Sequence, residues 1–399
     1  MAANLYVHFP FCRSKCSYCA LYSRVGSTAA AREEYVGSLR VKLGSVRVGL
    51  ESNSVKLGSI RVDPKQSLID PNRPYSDPNQ TLIDPNRPYL DPNQTLKTIY
   101  FGGGSPALCD LSPLGPALAA LSDPKSPPEF TVELHPLDVT PAKLDELKSI
   151  GVNRISMGVQ SLDDNVLRAM GRGYTADEAA RAFALVKSRF DNAGIDLIVG
   201  YPGDSVRWIN RLANWGLRHC SAYSLQNERG LRNVPDDDTV LDEIRTVAAF
   251  LKSIGLERYE ISNYAVPGFE CRHNLAVWRG EDYIGFGEGA CGRIGLTRTR
   301  GVKSSDPAVP FATSVSSVSP DFDLKERTMF RLRAREGLDA SRFPEWIPTL
   351  ERFVEEGLLA KTAAWGHAAL PGSATAETPV YRLTERGTEV CDAILAEIV

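Results

Sequence analysis

Three cysteines stand at Cys12, Cys16 and Cys19, directly after the apolar run Leu5 to Phe9, while the other five of the chain's eight are scattered. A compact loop with Cys-x3-Cys-x2-Cys spacing turns three thiolates inward on one iron–sulfur cluster. Three thiolates on four irons leave one iron free to take a substrate or cofactor. A structural zinc site wants a fourth ligand with its own short spacing, and no second Cys-x-x-Cys exists. Zinc completed by a distant His or Cys, and chance thiols, stay open on spacing alone. Further along, Gly102-Gly103-Gly104 closes a β-branched and aromatic run, where absent side chains let backbone approach a ligand and carbonyls receive an ammonium group. Glu133, Gln160 and Asp196 fall on or beside three later apolar runs. Singly each is an ordinary polar residue. Delivered by successive strands to one face, together with the cysteines, they form a ring of the kind barrel enzymes build.

The elements that must position these groups are strands alternating with helical stretches, the pattern of βα units around a parallel sheet. Strands are predicted at Leu5 to Phe9, Thr98 to Phe101, Phe130 to Leu134, Arg154 to Val159, Ile195 to Val199 and Ala222 to Leu225. Six units predict an incomplete barrel over residues 1–300. Residues 301–320 shift to Ser, Pro and Val without helical period and read as a linker. Residues 321–399 then carry helices, two short extended runs and a last helix opening at Thr384, a small winged-helix-like arrangement. That last helix sets Glu385, Glu389, Asp392 and Glu397 against Arg386, the wrong balance for neutralising phosphates, so nucleic acid is not an expected partner.

One segment differs in kind. Residues 68–81 recur as 82–95 with changes only at Ser76 and Leu90, and Asp-Pro pairs begin at Asp63, Asp70, Asp77, Asp84 and Asp91. Each Pro lacks a donor and restricts the residue before it, so regular helix is blocked. The stretch at about 43–96 reads as a disordered surface insert. Composition bounds the rest. The 399 residues exceed one domain, and 46 Lys plus Arg against 49 Asp plus Glu give a net charge of -3, with no global field for nucleic acid or anionic lipid. Eight cysteines are too few for a disulfide scaffold at this length. No apolar run approaches the roughly 18 residues of a spanning helix, and the N-terminal stretch has no basic region of a leader, so a cytoplasmic protein without an integral membrane segment is expected.

The run Tyr6 to Cys12 with its two following cysteines, then YFGGGSP, VELHP, GVNRISMGVQS and DLIVGYPG, resembles the radical S-adenosylmethionine (SAM) proteins related to oxygen-independent coproporphyrinogen III oxidase. The resemblance implies an α/β fold, a partial (β/α)6 barrel with a small C-terminal domain. It also implies a 4Fe-4S cluster on Cys12, Cys16 and Cys19 whose open iron is chelated by SAM. Carried over position by position, the cofactor contacts fall on Tyr6, Tyr18, Gly102, Gly103, Gly104, Glu133, Gln160, Arg172 and Asp196. The oxidases add a fourth cysteine two residues after the third, where this chain has Leu21. That departure points to the HemW-type haem chaperones. Their HNxxYW motif is matched by His273-Asn274-Leu275-Ala276-Val277-Trp278, with Val277 in place of the tyrosine. On this reading His273 is an axial haem ligand, and the partners are haem and haem-acceptor proteins. A hydrogen-bonded loop histidine is the plainer alternative. The alternative function is radical decarboxylation of coproporphyrinogen III propionates, and a third is an interaction module with a structural metal site.

Overall fold

A computed structural model describes residues 3–45, 95–304, 310–363 and 379–398. In chain order the elements begin with β1 (Ala3–Phe9), β2 (Phe11–Cys12), β3 (Arg24–Val25), α1 (Ala29–Ser45), β4 (Leu96–Gly103), α2 (Gly115–Ala120), β5 (Glu129–Leu134) and α3 (Pro141–Ser149). They continue with β6 (Arg154–Gln160), α4 (Asp164–Met170), α5 (Ala176–Lys187), β7 (Asn192–Val199), β8 (His219–Ser224) and α6 (Asp237–Ser253). Then come β9 (Glu257–Arg258), β10 (Asn263–Ala265), α7 (Arg272–Trp278), β11 (Tyr283–Phe286), β12 (Cys291–Ile294), β13 (Thr297–Lys303) and β14 (Phe311–Ser317). The C-terminal part holds α8 (Pro320–Phe330), β15 (Leu338–Asp339), α9 (Ile347–Glu355), β16 (Leu359–Ala363), β17 (Pro379–Leu383), α10 (Glu385–Glu389) and α11 (Cys391–Ile398).

All six predicted strands form, as β1, β4, β5, β6, β7 and β8, and they pair in that order with every neighbour parallel. Parallel strands need a crossover of a dozen or more residues, which the intervening helical segments supply. A seventh parallel strand, β11, lies against the free side of β1. Antiparallel β12, β13 and β14 extend that side, and β10 and β9 extend the other, giving a mixed twelve-stranded sheet. Outward residues such as Leu5, Val7, Phe9, Ile99 and Phe101 pack beneath the helices, while Asn4, Tyr6 and His8 alternate with them on β1. The interior of this sheet is polar. That is where the chemistry sits.

Phe101 is fully buried, with ring centroids 5.1 Å from Phe9 and 4.8 Å from Phe130. Phe101→Ala should therefore cost about 3–5 kcal/mol through lost transfer energy and a residual cavity. A denaturant midpoint within error of the wild type would contradict this packing.

Three boundaries differ from those predicted. The strand expected at Ala222 to Leu225 runs from His219 to Ser224. Residues 301–320 hold the end of β13, all of β14 and the start of α8, because alternating Thr, Ser and Val suit a half-covered antiparallel edge as well as a linker. The stretch at about 43–96 gives up both ends to the barrel: Leu43 is buried on α1 and Leu96 is buried at the start of β4. The repeats themselves lie outside the described residues. C-terminally, β15, β17 and β16 form a separate three-stranded sheet, and Leu338, Trp346, Leu350, Phe353, Tyr381 and Ile394 build a hydrophobic cluster distinct from the barrel's. Among the described residues no helix is long and apolar enough to cross a membrane.

Candidate functional site

The carboxyl end of β1 runs straight into the cysteine loop. A two-residue parallel bridge, Phe11 with Arg24 and Cys12 with Val25, ties its ends together. Cys12, Cys16 and Cys19 are free thiols, each half-buried, and all three line one cavity of about 660 Å³. Burial pushes the Cys12 thiol up, against a hydrogen bond from Ser23 that lowers it.

Gly103 and Gly104 form the cavity's wall beside the start of the loop. Gly103 has a φ of +99°, and a Cβ there would lie 2.4 Å from the His8 ring. At Gly104 a Cβ would stand 2.4 Å from the Phe11 carbonyl oxygen and 3.0 Å from Cys12 Sγ. A side chain would strike the His8 ring at Gly103 and the start of the cysteine loop at Gly104, so both glycines are required by close approach. Gly102 faces the Glu133 carboxyl group, 2.9 Å from a Cβ placed there.

Glu133 accepts hydrogen bonds from Tyr100 Oη at 2.8 Å and from the Gly103 N–H at 3.1 Å. Burial, and then the neighbouring Asp196 carboxylate, push its pKa up to about 7. Asp196, also raised by burial, accepts from Ser156 Oγ at 2.9 Å. The register of β6 against β7 slips between Gly158 and Gln160, and Gln160 takes a φ of 70°, a left-handed conformation costly for a residue with a side chain. This bulge sets Gln160 in the cavity wall.

Sign and size follow for Glu133. An unfolded glutamate titrates near 4.5, so between about 4.5 and 7 the folded chain holds a proton that the unfolded chain has released. Stability contributed by this group is therefore lost as pH rises through that window. Glu133→Gln should flatten the fall in urea midpoint between these pH values. Parallel curves for variant and wild type would contradict the assignment.

Arg172, just after α4, lines the cavity: Nη2 donates to the Gly158 carbonyl at 2.6 Å and Nε to Tyr174 Oη at 2.9 Å. Nη1 faces Cys16 Sγ and Tyr18 Oη, both at 3.4 Å. The guanidinium thus sets a fixed positive charge against one thiol of the loop and against the hydroxyl of Tyr18, which lies between two of the cysteines.

The structure brings Cys12, Cys16, Cys19, Tyr18, Gly103, Gly104, Glu133, Gln160, Arg172 and Asp196 to one cavity. Tyr6 stands behind it, its hydroxyl 3.0 Å from His8 Nδ1, and Gly102 backs Glu133. His273 is elsewhere. It is 5% exposed, its Nδ1 lies 2.8 Å from Thr98 Oγ1, and its ring packs near those of Tyr100 and Tyr6. Its backbone N–H donates to Glu129 at 3.2 Å. Burial first, and then the Arg154 charge, lower its pKa to about 3, so the imidazole is neutral. Residues not found from the sequence are Asp138 and Glu288, two buried carboxylates that fasten the cysteine loop. Asp138 follows VELHP closely enough to have been singled out, whereas Glu288 carries no local signal.

The sequence profile of the radical SAM superfamily matches residues 6–216, over half the chain. The chain belongs to the radical SAM superfamily. Within this superfamily it is 31% identical over 277 residues to "Heme chaperone HemW" of Bacillus subtilis, covering 63% of this chain and 73% of that protein. "Heme chaperone HemW" of Mycobacterium tuberculosis is 27% identical over 386 residues, covering 90% and 87%. These matches place it in the HemW group of the radical SAM proteins. The Escherichia coli coproporphyrinogen III oxidase, a radical SAM enzyme, shares the fold at a TM-score of 0.70 and 17% identity, over 100% of this chain and 90% of that one.

Membership in the radical SAM superfamily implies a 4Fe-4S cluster and SAM. The donor set fits both. The three thiols border one shared cavity, as a multi-iron cluster held by thiolates needs. Gly103 and Gly104 bring bare backbone to the cavity, and two buried carboxyl groups offer acceptors for an ammonium and for ribose hydroxyls. Leu21, at the position where the oxidase pattern has its fourth cysteine, is 56% exposed at the cavity's rim.

Proposed function

We propose that this chain is a haem chaperone: it binds haem and passes it to acceptor proteins, and it carries a SAM-ligated 4Fe-4S cluster on Cys12, Cys16 and Cys19. The observation that carries the reading is Leu21. An exposed leucine on the rim supplies neither a thiolate nor a proton, so the site lacks the extra sulfur of the oxidase pattern. The relatives named as haem chaperones at 27–31% identity support the same branch.

When bound, the cluster supplies one electron to the SAM sulfonium. The chain's own residues hold and orient the cofactor. Gly102, Gly103 and Gly104 offer backbone to the methionine ammonium with Glu133 behind them, Gln160 and Asp196 face the ribose, and Tyr18 walls the loop. Arg172 places its guanidinium beside Cys16 and Tyr18, so a cation borders the loop that would hold the cluster. Tyr6, which the resemblance gives as a further cofactor contact, also holds the His8 ring through its hydroxyl.

For haem, His273 is the ligand to which the matched motif points. Its neutral imidazole is the form that binds iron, and with Nδ1 on Thr98 the remaining nitrogen is Nε2. Its burial means that α7 must leave its seat before haem reaches it. Val277, beside it on α7, lacks the hydroxyl and ring of the motif's tyrosine, so Val277→Tyr should tighten haem binding. Spectral titration of the anaerobically reconstituted protein with haem tests the reading. Saturable binding near one haem per chain is expected, and unsaturable binding indistinguishable from that of albumin-free buffer controls would refute it.

A further inference from the structure

The cysteine loop is fastened at three places. At its entry Arg13 Nε donates to Asp138 Oδ1 at 2.5 Å, and Ser105 Oγ donates to the other oxygen of the same buried carboxylate. In the middle the Ser17 N–H donates to the Met170 carbonyl at 3.1 Å, and Ser17 Oγ lies 2.9 Å from Tyr201 Oη. At the exit the Tyr22 hydroxyl and the Arg24 guanidinium both dock on the Glu288 carboxylate, which is 1% exposed.

Glu288 comes from the turn joining β11 to β12, far from the loop in sequence. Its neighbours Gly287 and Gly289 have φ values of +101° and +93°. A Cβ on Gly287 would lie 2.4 Å from the His8 carbonyl oxygen, and one on Gly289 would lie 3.1 Å from Tyr22 Cβ. The turn is pressed into the groove between β1 and the loop exit. The Glu288 N–H donates to Tyr35 Oη at 3.0 Å, and that hydroxyl donates in turn to the His8 carbonyl at 2.8 Å. His8 Nε2 faces the Tyr22 carbonyl, an acceptor only, at 2.9 Å. Nε2 therefore carries the hydrogen, and Nδ1 accepts from Tyr6.

We propose that Glu288 is a positioning residue of the cluster loop: its buried carboxylate, hydrogen-bonded by the Tyr22 hydroxyl and ion-paired with Arg24, holds the loop exit shut and fixes where Cys19 stands. The proposal rests on the reading that Cys12, Cys16 and Cys19 hold the cluster. A buried carboxylate stripped of its partners is costly, so detaching the exit strands a charge, and the closed arrangement is favoured before any iron arrives. Only Ala20 and Leu21 separate Cys19 from Tyr22. At about 3.8 Å per Cα step that tether is too short to let the thiol wander once Tyr22 is docked. Glu288 touches no thiol, and it acts through the loop.

The test uses the full chain with Glu288→Ala and Glu288→Gln, the second keeping the shape and a hydrogen-bonding group while removing the charge. In the metal-free protein, amide exchange of residues 20–25 should speed by about tenfold in Glu288→Ala and less in Glu288→Gln, with the barrel strands unchanged. After anaerobic reconstitution, iron per chain should fall to about half or below in Glu288→Ala, and the electron paramagnetic resonance lines of the reduced cluster should broaden in both variants. Wild-type exchange and wild-type line shape in Glu288→Gln would overturn the proposal even if Glu288→Ala fails to fold. Cys16→Ala is measured in parallel. Full iron in that variant would overturn the cluster assignment, and the exchange data would then decide the role of Glu288 separately.

Discussion

Replacing any one of Cys12, Cys16 or Cys19 by alanine will abolish the reconstituted cluster, while Cys109→Ala and Cys391→Ala will keep it. The three loop thiols share one cavity, and two of them are too few to hold four irons. Cys109 and Cys391 are buried away from that cavity, among apolar side chains of the barrel and of the C-terminal unit respectively. Burial pushes their thiols up to about 12 and about 11, which keeps them protonated and poor ligands. Iron and sulfide per chain, with the absorbance of the cluster, read the outcome. Equal iron in all five variants would remove the assignment.

His273→Ala will weaken haem binding by on the order of 100-fold, equivalent to about 2.7 kcal/mol, and will change the axial-ligand spectrum. The same geometry that makes the imidazole neutral also hides it. Thr98 occupies Nδ1, the Tyr6 and Tyr100 rings flank it, and Glu129 receives the backbone N–H at the start of α7. Haem uptake should then be slow and limited by release of α7, a step that Glu129→Gln should accelerate by weakening a charge-assisted hydrogen bond. Stopped-flow uptake that is equally fast in Glu129→Gln and wild type would argue against release of α7 as the gate. An unchanged spectrum and affinity in His273→Ala would remove His273 as the ligand.

The six parallel strands were legible because each is a short β-branched or aromatic run bounded by turn residues, from Leu5–Phe9 through to Ala222–Leu225. Strand β11 was not. Its four residues, Tyr283 to Phe286, include a glycine and gain their place by pairing with β1, some 280 residues earlier, as well as with β12. The edge strand β14 was hidden by its Ser-rich composition, which a linker shares. At the site, the cysteines, the glycine wall and Glu133 were readable as local motifs. Three placements needed the fold: Arg172 turning to Cys16, His273 sinking onto Thr98, and Glu288 reaching Tyr22 and Arg24. Each is a contact between segments far apart in sequence, set by which strand lies beside which, and no periodicity or spacing encodes it. Gln160 falls between the two cases, since its position was apparent but the bulge that aims it was not.

The most direct measurement is made on one anaerobically reconstituted sample, divided between a haem titration and an assay with coproporphyrinogen III, SAM and reductant. The account predicts saturable haem binding that depends on His273, together with no sustained formation of protoporphyrinogen IX, because Leu21 stands where the oxidase pattern carries its fourth cysteine. Steady production of protoporphyrinogen IX, or haem binding untouched by His273→Ala, would contradict it.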